Sequence, residues 1–519
     1  MIDSNTHTLK AALNQATEWY PEKEVFVQAF SDDRRNTYVE FNDDCRKMAN
    51  AYLEDGIEKG DRIVFVSDTT VEHAVAYFAA LKVGAIPANL HTRAAVNVNK
   101  SLIDELEPET IVFQPKYTDD VEAFETDDVK RLIALDSDAE SPSFASNVSE
   151  FVEGAPETEP DVNLQPSDDA FINFTSGTTG KPKGMVRSHE EAIEFIQTAT
   201  YIYQSDRTDV YLNPFGTGFI GWPLFMLSCS SMGATVVCMD EFAPARVPEL
   251  IESEGITFTI ITPTMWKMIL QHGDADDYDL SSLDRVGYAG EAISTDVYKR
   301  LQDQYTENVL TVYGGTDPGF VTVLFPEEVT EQALESVGRP VMNHNVRIIE
   351  PESKDPTATV EPGEIGEIIA RGPSTANRVY NRPEKTEELF DDDGWWYGGD
   401  LARIGTDGNI YLEGRVDNMI ISGGVNVYAE AVETVLDNHP AIHEVAVIGM
   451  PDEKWGERVT AYVISDDGSL TENELEQWCR DNDDLGDYQR PREFIFRDEL
   501  PRSNTGKLDR DSLRSDANS

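Results

Sequence analysis

Up to about residue 320, short apolar runs bounded by turn residues alternate with segments whose apolar residues recur at helical spacing. Val71–Val83 predicts a helix that ends at Gly84, and it follows a strand-like run over Asp61–Ser67. Further strand candidates are Ile111–Phe113, Ala170–Phe174, Thr257–Thr262, Arg285–Ala289 and Val309–Val312. Such alternation of strands and helices predicts mostly parallel sheets that are covered by helices.

From about residue 346 the pattern changes to short strands and turns, with candidates over Val346–Ile349, Glu364–Arg371 and Asn409–Glu413. The last part predicts a small α+β unit with helices over Tyr428–Asp437 and Glu472–Arg480 and strands over His443–Ile448 and Arg458–Ile464. The predicted fold class is therefore α/β, with a large N-terminal domain of mostly parallel, helix-covered sheets and a small α+β C-terminal domain.

The stretch Val210–Met239 contains no charged residue, although the composition alone predicts about eight charged residues in thirty. Asn213, Pro214, glycines and serines interrupt the apolar residues, so we expect no membrane span here. The stretch predicts a buried helix followed by a strand over Ala234–Met239, or one wall of an apolar substrate pocket. Both interpretations can hold together.

The chain is strongly acidic, with 97 Asp and Glu against 42 Lys and Arg and a net charge of −55. This balance argues against nucleic-acid binding, which requires a basic surface. Because the charge is spread along the whole chain, we interpret it as adaptation to high salt, where self-repulsion is screened. The N-terminus shows no signal-peptide pattern, so we expect a cytoplasmic protein.

Pro, Ser and acidic residues fill Asp136–Asp169, which predicts a solvated surface loop. The next segment, 174–184, reads Phe-Thr-Ser-Gly-Thr-Thr-Gly-Lys-Pro-Lys-Gly. Its glycines permit positive φ, and the backbone N–H groups of such a turn form a concave anion site to which hydroxyls and lysines add donors. A triphosphate suits this site, although the spacing is not that of a Walker A loop. The candidate phosphate-binding residues are Thr175, Ser176, Gly177, Thr178, Thr179, Gly180 and Lys183.

The charge around this loop supports the same interpretation. Residues 170–189 contain no acid, where the composition predicts roughly three or four, and they include Lys181, Lys183, Arg187 and His189. This pattern predicts a basic patch for a polyanion. A flexible Gly/Ser/Thr linker is the alternative, but a strand-like apolar run leads directly into the loop.

With these motifs the chain resembles the adenylate-forming superfamily of acyl- and aryl-CoA synthetases, adenylation domains and luciferases. The resemblance extends over nearly the whole length, and the motifs occur in the family's order. After the phosphate loop come Gly-Glu-Ala at 290–292, Tyr-Gly-Gly-Thr-Asp at 313–317, Tyr-Gly-Gly-Asp at 397–400, Gly-Arg-Val-Asp at 414–417 and Pro-Arg-Ser-Asn-Thr-Gly-Lys at 501–507.

The resemblance implies a role for each matching residue in the first motifs. The backbone of Gly290, Glu291 and Ala292 would hold adenine, and the ring of Tyr313 would stack on it. Thr316 would contact the α-phosphate. Asp317 would hold Mg²⁺.

In the later motifs, the resemblance implies that Asp400 grips the ribose hydroxyls and that Arg415 lies near ribose and phosphate. Lys507 would catalyse adenylation. Asp417 would be the hinge between an AMP-binding domain, 1–416, and a mobile lid domain, 417–519. After the lid has moved, Gly423 and Gly424 would line a tunnel for pantetheine, where side chains would obstruct a narrow channel.

The implied activity is an ATP-dependent acid–CoA ligase that uses ATP, Mg²⁺ and coenzyme A and activates a fatty or aromatic acid as acyl-AMP. Two alternatives stay open: delivery of the acyl group to a carrier protein or to oxygen, and a catalytically degenerate ATP binder. Two positions depart from the family pattern. Asp317 stands where glutamate is usual, and Gly216 stands where many members have a histidine or aromatic gate, so the pocket entrance is open or is closed by Phe219 or Trp222.

Overall fold

A computed structural model describes residues 7–31, 34–124, 129–135, 141–175, 182–290, 293–423, 425–452, 454–465, 470–482, 485–486, 488–502 and 508–516. Its strands are β1 (Glu24–Gln28), β2 (Arg35–Thr37), β3 (Arg62–Val66), β4 (Ile86–Asn89), β5 (Thr110–Phe113), β6 (Arg131–Ala134), β7 (Ser146–Asn147), β8 (Asp169–Thr175), β9 (Lys183–Ser188), β10 (Val210–Asn213), β11 (Thr235–Cys238), β12 (Phe258–Ile261), β13 (Arg285–Ala289), β14 (Val309–Gly315), β15 (Gly319–Leu324), β16 (Arg339–Pro340), β17 (Asn345–Ile349), β18 (Gly366–Arg371), β19 (Arg378–Val379), β20 (Trp396–Ile404), β21 (Ile410–Arg415), β22 (Met419–Ser422), β23 (Val425–Tyr428), β24 (Ile442–Asp452), β25 (Gly456–Ser465) and β26 (Glu493–Phe496).

Its helices are α1 (Leu9–Trp19), α2 (Tyr38–Glu54), α3 (Val71–Val83), α4 (Val96–Leu106), α5 (Thr118–Ala123), α6 (Val148–Phe151), α7 (His189–Ile202), α8 (Gly221–Met232), α9 (Val247–Glu254), α10 (Pro263–His272), α11 (Thr295–Gln304), α12 (Pro383–Leu389), α13 (Ala429–Asp437), α14 (Glu472–Asp481) and α15 (Arg510–Asp516).

The chain divides into two compact units, residues 1–345 with 370–396, and residues 346–369 with 397–519. The first unit contains a nine-stranded sheet in the order β16-β15-β14-β13-β12-β10-β11-β1-β2 and an eight-stranded sheet in the order β19-β9-β8-β4-β3-β5-β6-β7. Strands β1 and β10 to β14 run parallel in the first sheet, and β3 to β8 run parallel in the second. The predicted fold of mostly parallel sheets and helices is confirmed.

Local end signals determine helix α3 at both ends, as the sequence predicted. The hydroxyl of Thr70 accepts a hydrogen bond from the backbone N–H of His73, which satisfies a free donor of the first turn. Gly84 ends the helix with φ at 74°, a conformation that residues with a Cβ rarely adopt. The α3 boundaries therefore follow from two residues that flank the apolar run.

The uncharged stretch 210–239 forms β10, helix α8 and β11, and residues 221–230 of the helix are all buried. Phe225 of this helix stacks on Tyr211 of β10, with ring centroids 4.1 Å apart. The predicted buried helix and following strand are confirmed. In the part of the chain that the structure describes, no helix is both long and apolar enough to cross a membrane.

The solvated loop predicted over 136–169 is wrong in part. Residues 146–151 form β7 and helix α6, and the side chains of Ala155 and Leu164 are buried. Glu159 pairs with Lys82 of helix α3, whose ammonium group lies 3.1 Å away and whose side chain is 1% exposed. This polar segment therefore packs on the core, since one of its acids neutralises a buried cation.

The second unit contains most of a four-stranded sheet, β17-β18-β20-β21, and a five-stranded sheet in which β23, β22, β25 and β24 follow one another and β26 pairs with β25. Helices α13 and α14 pack on each other. The unit has a separate hydrophobic core, which includes Val432, Val447 and Leu475. The predicted small α+β unit is confirmed. The hinge and boundary expected between residues 416 and 417 stay a prediction.

Candidate active site

Strands β8 and β9 bring the two ends of the expected phosphate loop together. Thr175 at the end of β8 lies opposite Lys183 at the start of β9 in antiparallel register. Lys183 is 9% exposed. The connecting residues Ser176, Gly177, Thr178, Thr179 and Gly180 lie outside the described residues. The expected loop therefore follows one of two paired antiparallel strands and precedes the other, and the geometry of the loop itself stays a prediction.

Parallel pairing places the two expected adenine motifs side by side. Ala289 at the end of β13 is the register partner of Val312 on β14, so the next residues, Gly290 and Tyr313, lie side by side where β13 ends, while β14 continues to Gly315. Ligands of open α/β sheets bind at this edge. Gly290 has φ at 87°, whereas Glu291 and Ala292 lie outside the described residues.

The turn that contains Thr316 and Asp317 joins the antiparallel strands β14 and β15. It is tight, because a Cβ on Gly314 would collide with the carbonyl oxygen of Gly319. The N–H of Ala376 donates to the carbonyl oxygen of Asp317 at 3.0 Å, and the hydroxyl of Thr375 donates to that of Pro318 at 3.0 Å. The backbone of the turn is thus fixed from a second chain segment, and the side chains of Thr316 and Asp317 are half-buried.

Arg187 connects strand β9 to this turn. One guanidinium nitrogen, Nη2, donates to the carbonyl oxygen of Thr316 at 2.7 Å, and Nη1 donates to that of Ser374 at 2.5 Å. The guanidinium also lies 4.4 Å from the ring centroid of Phe195. Burial lowers the pKa of Arg187 to about 10, so the group stays charged at neutral pH.

The predicted basic patch is wrong at Arg187 and His189, whereas Lys183 is largely buried and Lys181 lies outside the described residues. Arg187 is 1% exposed and His189 is 0% exposed, and both contact protein groups. The ring nitrogen Nδ1 of His189 accepts from the backbone N–H of Leu9 at 3.4 Å. Burial lowers the pKa of His189 to about 4, so its ring is neutral at pH 7. Two bases of this acid-free segment are therefore buried, and a site for an anion stays a prediction.

The loop after β10, residues 214–220, is anchored to the other sheet of the first unit. The hydroxyl of Thr217 donates to the carbonyl oxygen of Ser67 at 2.7 Å, and the side-chain amide of Asn89 donates to that of Thr217 at 3.0 Å. A Cβ on Gly218 would lie 2.9 Å from the Cα of His91, so only glycine fits there without displacement. A Cβ on Gly216 would meet nothing closer than 3.7 Å.

Of the two residues expected to close the pocket entrance, Trp222 is excluded from that role in this structure. Trp222 is 0% exposed and stacks on His73 with ring centroids 4.5 Å apart. Phe219 is 41% exposed, and its ring lies 4.8 Å from that of His91. Closure by Phe219 stays a prediction.

In the second unit, Asp400 and Arg415 are direct partners across strands β20 and β21. Nη1 of Arg415 donates to the carboxylate of Asp400 at 2.6 Å, and Nη2 donates to the carbonyl oxygen of Gly398 at 2.8 Å. The side chain of Glu367 accepts from the N–H of Gly399 at 3.2 Å, and burial raises the pKa of this carboxyl. The expected ribose residues are therefore together.

The expected tunnel residue Gly423 turns against an aromatic ring. Its φ is 61°, its N–H donates to the carbonyl oxygen of Trp455 at 2.7 Å, and a Cβ there would lie 3.1 Å from the indole. Gly424 and Lys507 lie outside the described residues. The segment that contains Lys507 is flanked by a β-bridge between Arg502 and Leu508.

Sequence reasoning missed the roles of three residues near the Thr316 turn. Ser374 accepts from Arg187 through its carbonyl oxygen and from the N–H of Phe320 through its hydroxyl, at 3.3 Å. The same hydroxyl lies 2.7 Å from Nε2 of His344, whose Nδ1 lies 3.0 Å from the carbonyl oxygen of Met342. The position of Arg187 in a stretch without acids could have indicated that its charge has a special role. No local feature of the sequence indicates a role for Ser374 or His344.

Comparisons with known proteins agree with this geometry. The sequence profile described as AMP-binding enzyme matches residues 13–380, and that of the AMP-binding enzyme C-terminal domain matches residues 431–507. The chain is 30% identical over 484 residues to a feruloyl-CoA synthase from Amycolatopsis sp, covering 92% of this chain and 93% of that protein. It is 28% identical over 509 residues to the long-chain-fatty-acid–CoA ligase FadD13 of Mycobacterium tuberculosis strain H37Rv, covering 97% of each.

Among solved structures, ATP-bound MatB from Rhodopseudomonas palustris superposes with a TM-score of 0.86 at 25% identity and covers 98% of each chain. The similarity thus extends through both units. The expected adenylate-forming acyl- or aryl-CoA synthetase is confirmed, and the chain belongs to the family of AMP-binding enzymes.

Proposed function

We propose that this protein joins a carboxylic acid, fatty or aromatic, to coenzyme A in two steps through an acyl-adenylate. In the first step the acid and ATP form acyl-AMP and pyrophosphate. In the second step CoA takes the acyl group and AMP is released. The supporting observation is the bond from Arg187 to the carbonyl oxygen of Thr316, which links the strand leaving the phosphate loop to the turn expected at the α-phosphate.

In the first step, a carboxylate oxygen of the acid attacks the α-phosphorus, and the bond from that phosphorus to pyrophosphate breaks. The substrate supplies the nucleophile, so the protein contributes positioning and neutralisation of growing negative charge. Lys507 and the N–H groups of residues 176–180 would supply positive charge, and the hydroxyl of Thr316 would donate to the α-phosphate. Tyr313 and Gly290 would hold the adenine at the sheet edge where the register brings them together.

Asp317 fits a magnesium ion that is shared with the nucleotide. Its half-buried carboxylate lies in a turn whose backbone is fixed by Ala376 and Thr375, so the acid keeps its place when the nucleotide arrives. One or two carboxylates, with phosphate oxygens and water, are the usual ligands of Mg²⁺ at such sites. When bound, the ion would neutralise phosphate charge. Aspartate is one methylene shorter than the usual glutamate, so a water would complete the reach.

In the second step, the thiol of CoA loses its proton, its sulfur attacks the acyl carbonyl, and the bond to AMP breaks. We propose that the C-terminal lid, 417–519, swings about Asp417 between the steps, so that Lys507 leaves and Gly423 and Gly424 border the pantetheine. The position of Gly423 against the Trp455 indole supports this role for Gly423, because a Cβ there would crowd the ring at 3.1 Å.

We propose a fatty chain or an aromatic ring for the acid, because the anchored loop 214–220 and helix α8 come from a stretch without charge. The names of the relatives point both ways: feruloyl-CoA synthase for a ring and long-chain-fatty-acid–CoA ligase for a chain. A role in fatty acid metabolism would follow from the second. A Cβ on Gly216 would make an ordinary contact with the ring of Phe219 at 3.7 Å, and the glycine leaves that volume unfilled, which favours a wider entrance.

The proposal is tested by ATP- and Mg²⁺-dependent AMP release in concentrated KCl, with and without CoA, across short, medium and long fatty acids and aromatic acids. Turnover that requires CoA and one class of acid supports the ligase and identifies its substrate. AMP release without CoA supports a different acceptor. No turnover with any acid would contradict the proposal and favour a degenerate ATP binder.

We further propose a halophilic, cytoplasmic protein, since a net charge of −55 repels itself and salt screens that repulsion. The melting temperature should rise as KCl is raised from 0.1 M to 3 M. A melting temperature that does not rise with KCl would contradict adaptation to salt.

A further inference from the structure

Arg187 is a buried cation on strand β9, which leads away from the expected phosphate loop. Its side chain is 1% exposed, and among the described residues no carboxylate forms an ion pair with it. Asp317 and Glu191 only raise its pKa from a distance, while burial lowers it more. Removing such a charge from water costs several kcal/mol, and a protein with an apolar residue of similar volume at that position is often no less stable. Packing alone therefore gives little reason for a charged group here.

The bonds of Arg187 suggest a purpose for the charge. A guanidinium presents its donors in a rigid planar fork, and here the two terminal nitrogens reach the carbonyl oxygens of Thr316 and Ser374. Ser374 in turn holds the N–H of Phe320 through its hydroxyl. The Thr316–Asp317 turn is thus held directly at Thr316 and, through Ser374, at the residue after Gly319.

We propose that Arg187 is a positioning residue for the nucleotide, and this inference rests on the proposed function. Arg187 fixes the Thr316–Asp317 turn relative to strand β9, which begins at Lys183 directly after the phosphate loop. The phosphate loop and the Thr316–Asp317 turn are the two expected groups of phosphate ligands, and Arg187 thereby keeps them at a fixed distance from each other before ATP binds. At 1% exposure it does so without touching ATP itself.

The substitutions Arg187→Met and Arg187→Lys test this role. Methionine fills the space beside Phe195, and it removes both hydrogen bonds and the contact of the guanidinium with that ring. Lysine keeps the charge but lacks the planar fork. The matched control is Arg285→Met. Arg285 is also largely buried, at 12% side-chain exposure, and it pairs with Asp209. It is the first residue of β13 and therefore lies at the opposite end of that strand from Gly290.

The main measurement is the Kd of the full-length protein for ATP with Mg²⁺ by calorimetry, together with the melting temperature. We expect Arg187→Met to raise the Kd at least tenfold and Arg187→Lys to raise it about threefold. Arg285→Met should lower the melting temperature and leave the Kd within twofold of wild type. In pyrophosphate exchange, Arg187→Lys should raise the KM for ATP and leave the KM for the acid unchanged.

Several results would overturn the inference. One is an unchanged Kd in both Arg187 variants, or in Arg187→Lys alone if the methionine variant does not fold. Another is an equal rise in the Kd for Arg285→Met. Absence of ATP binding by the wild type would overturn both this inference and the proposed function. ATP binding without turnover of any acid would overturn the ligase alone, and the comparison of Kd values would still decide the role of Arg187.

Discussion

The residues expected at the nucleotide are held differently in the two units. In the first unit, Thr316 is bound by Arg187, which lies 129 positions away in sequence and is 1% exposed. In the second unit, Asp400 is bound by Arg415, only 15 positions away, and the two side chains are 21% and 36% exposed. One contact is buried and long-range, whereas the other joins neighbouring strands near the surface.

This difference indicates how each of the two sets of residues can change. A buried contact between distant segments couples the site to the stability of the whole unit, because its loss leaves polar groups unsatisfied. A partly exposed pair on adjacent strands contributes only about 0–1 kcal/mol to stability. We therefore expect substitutions at buried contacts of the expected site residues in the first unit to alter stability and activity together. Substitutions of those in the second unit should alter activity alone.

The largest expected effect is that of Lys507→Ala in the second unit. Removal of a charge that stabilises the transition state typically costs 10²–10³-fold in rate, so acyl-adenylate formation should fall by roughly that factor. Thioester formation from supplied acyl-adenylate should stay within about threefold, and the melting temperature should not change. Lys385→Ala, on the short helix α12, is the control. Equal loss of both half-reactions would contradict the role of Lys507.

Asp400→Asn separates activity from stability at the ribose pair. We expect the KM for ATP to rise roughly tenfold, because an amide is a weaker acceptor for hydroxyls than a carboxylate. The free energy of unfolding should fall by less than about 1 kcal/mol. The matched control is Glu413→Gln, which removes the charge from the neighbouring Arg403–Glu413 pair, joined at 2.6 Å across the same two strands. A similar KM in both variants would refute the assignment of Asp400.

Gly218→Ala examines the first unit. The new methyl would lie 2.9 Å from the Cα of His91, and overpacking of this kind costs typically 1–3 kcal/mol. Gly216→Ala in the same loop is the control, since its methyl meets nothing closer than 3.7 Å. For Gly218→Ala, the free energy of unfolding in urea and the turnover of the carboxylic acid substrate should both fall. Equal stability of the two variants would show that the loop yields easily.

The last expected effect is a pH dependence of stability from His189. Its pKa is about 4 when folded, against 6.5 for an ordinary histidine, so between these values the unfolded chain binds a proton that the folded chain does not. The free energy of unfolding should therefore fall as pH drops from 6.5 to 4, by at most about 3 kcal/mol from this residue.

His189→Gln should make that decline shallower at constant KCl, measured by urea unfolding at pH 7 and pH 5. His272→Gln, at an exposed position on helix α10, should leave the slope unchanged. A slope that is the same in wild type and His189→Gln would show that the folded protein takes up the proton elsewhere.

Local signals in the sequence predicted much of the fold. Helix α3 was placed at both ends, and strand β13 was predicted over its whole length, because flanking caps and apolar runs decide them. The polar segment 136–169 was misjudged, because composition records charge but not partners. Glu159 meets Lys82 from 77 positions away, and that pairing changes a surface segment into one that packs on the core.

The same limit applies to the site. Resemblance placed Tyr313, Asp400 and Arg415 where strand pairing then brings expected partners together. The supports of the Thr316 turn were not predictable, because Ser374 acts partly through its backbone, which any residue would supply. The sequence predicts Arg187 in a basic patch, because a charged residue type does not by itself reveal whether the side chain is buried.

The route of the chain through the first unit has a consequence for its synthesis. That unit consists of residues 1–345 and 370–396, so its folding cannot be completed until residue 396 has left the ribosome. Before residue 374 has emerged, Arg187 can reach the carbonyl oxygen of Thr316 but not that of Ser374. A fragment that ends at residue 345 would lack β19, which is the neighbour of β9. It would also lack Ser374, which binds Arg187 and Phe320 at the Thr316 turn. An N-terminal fragment intended to bind nucleotide should therefore extend through residue 396.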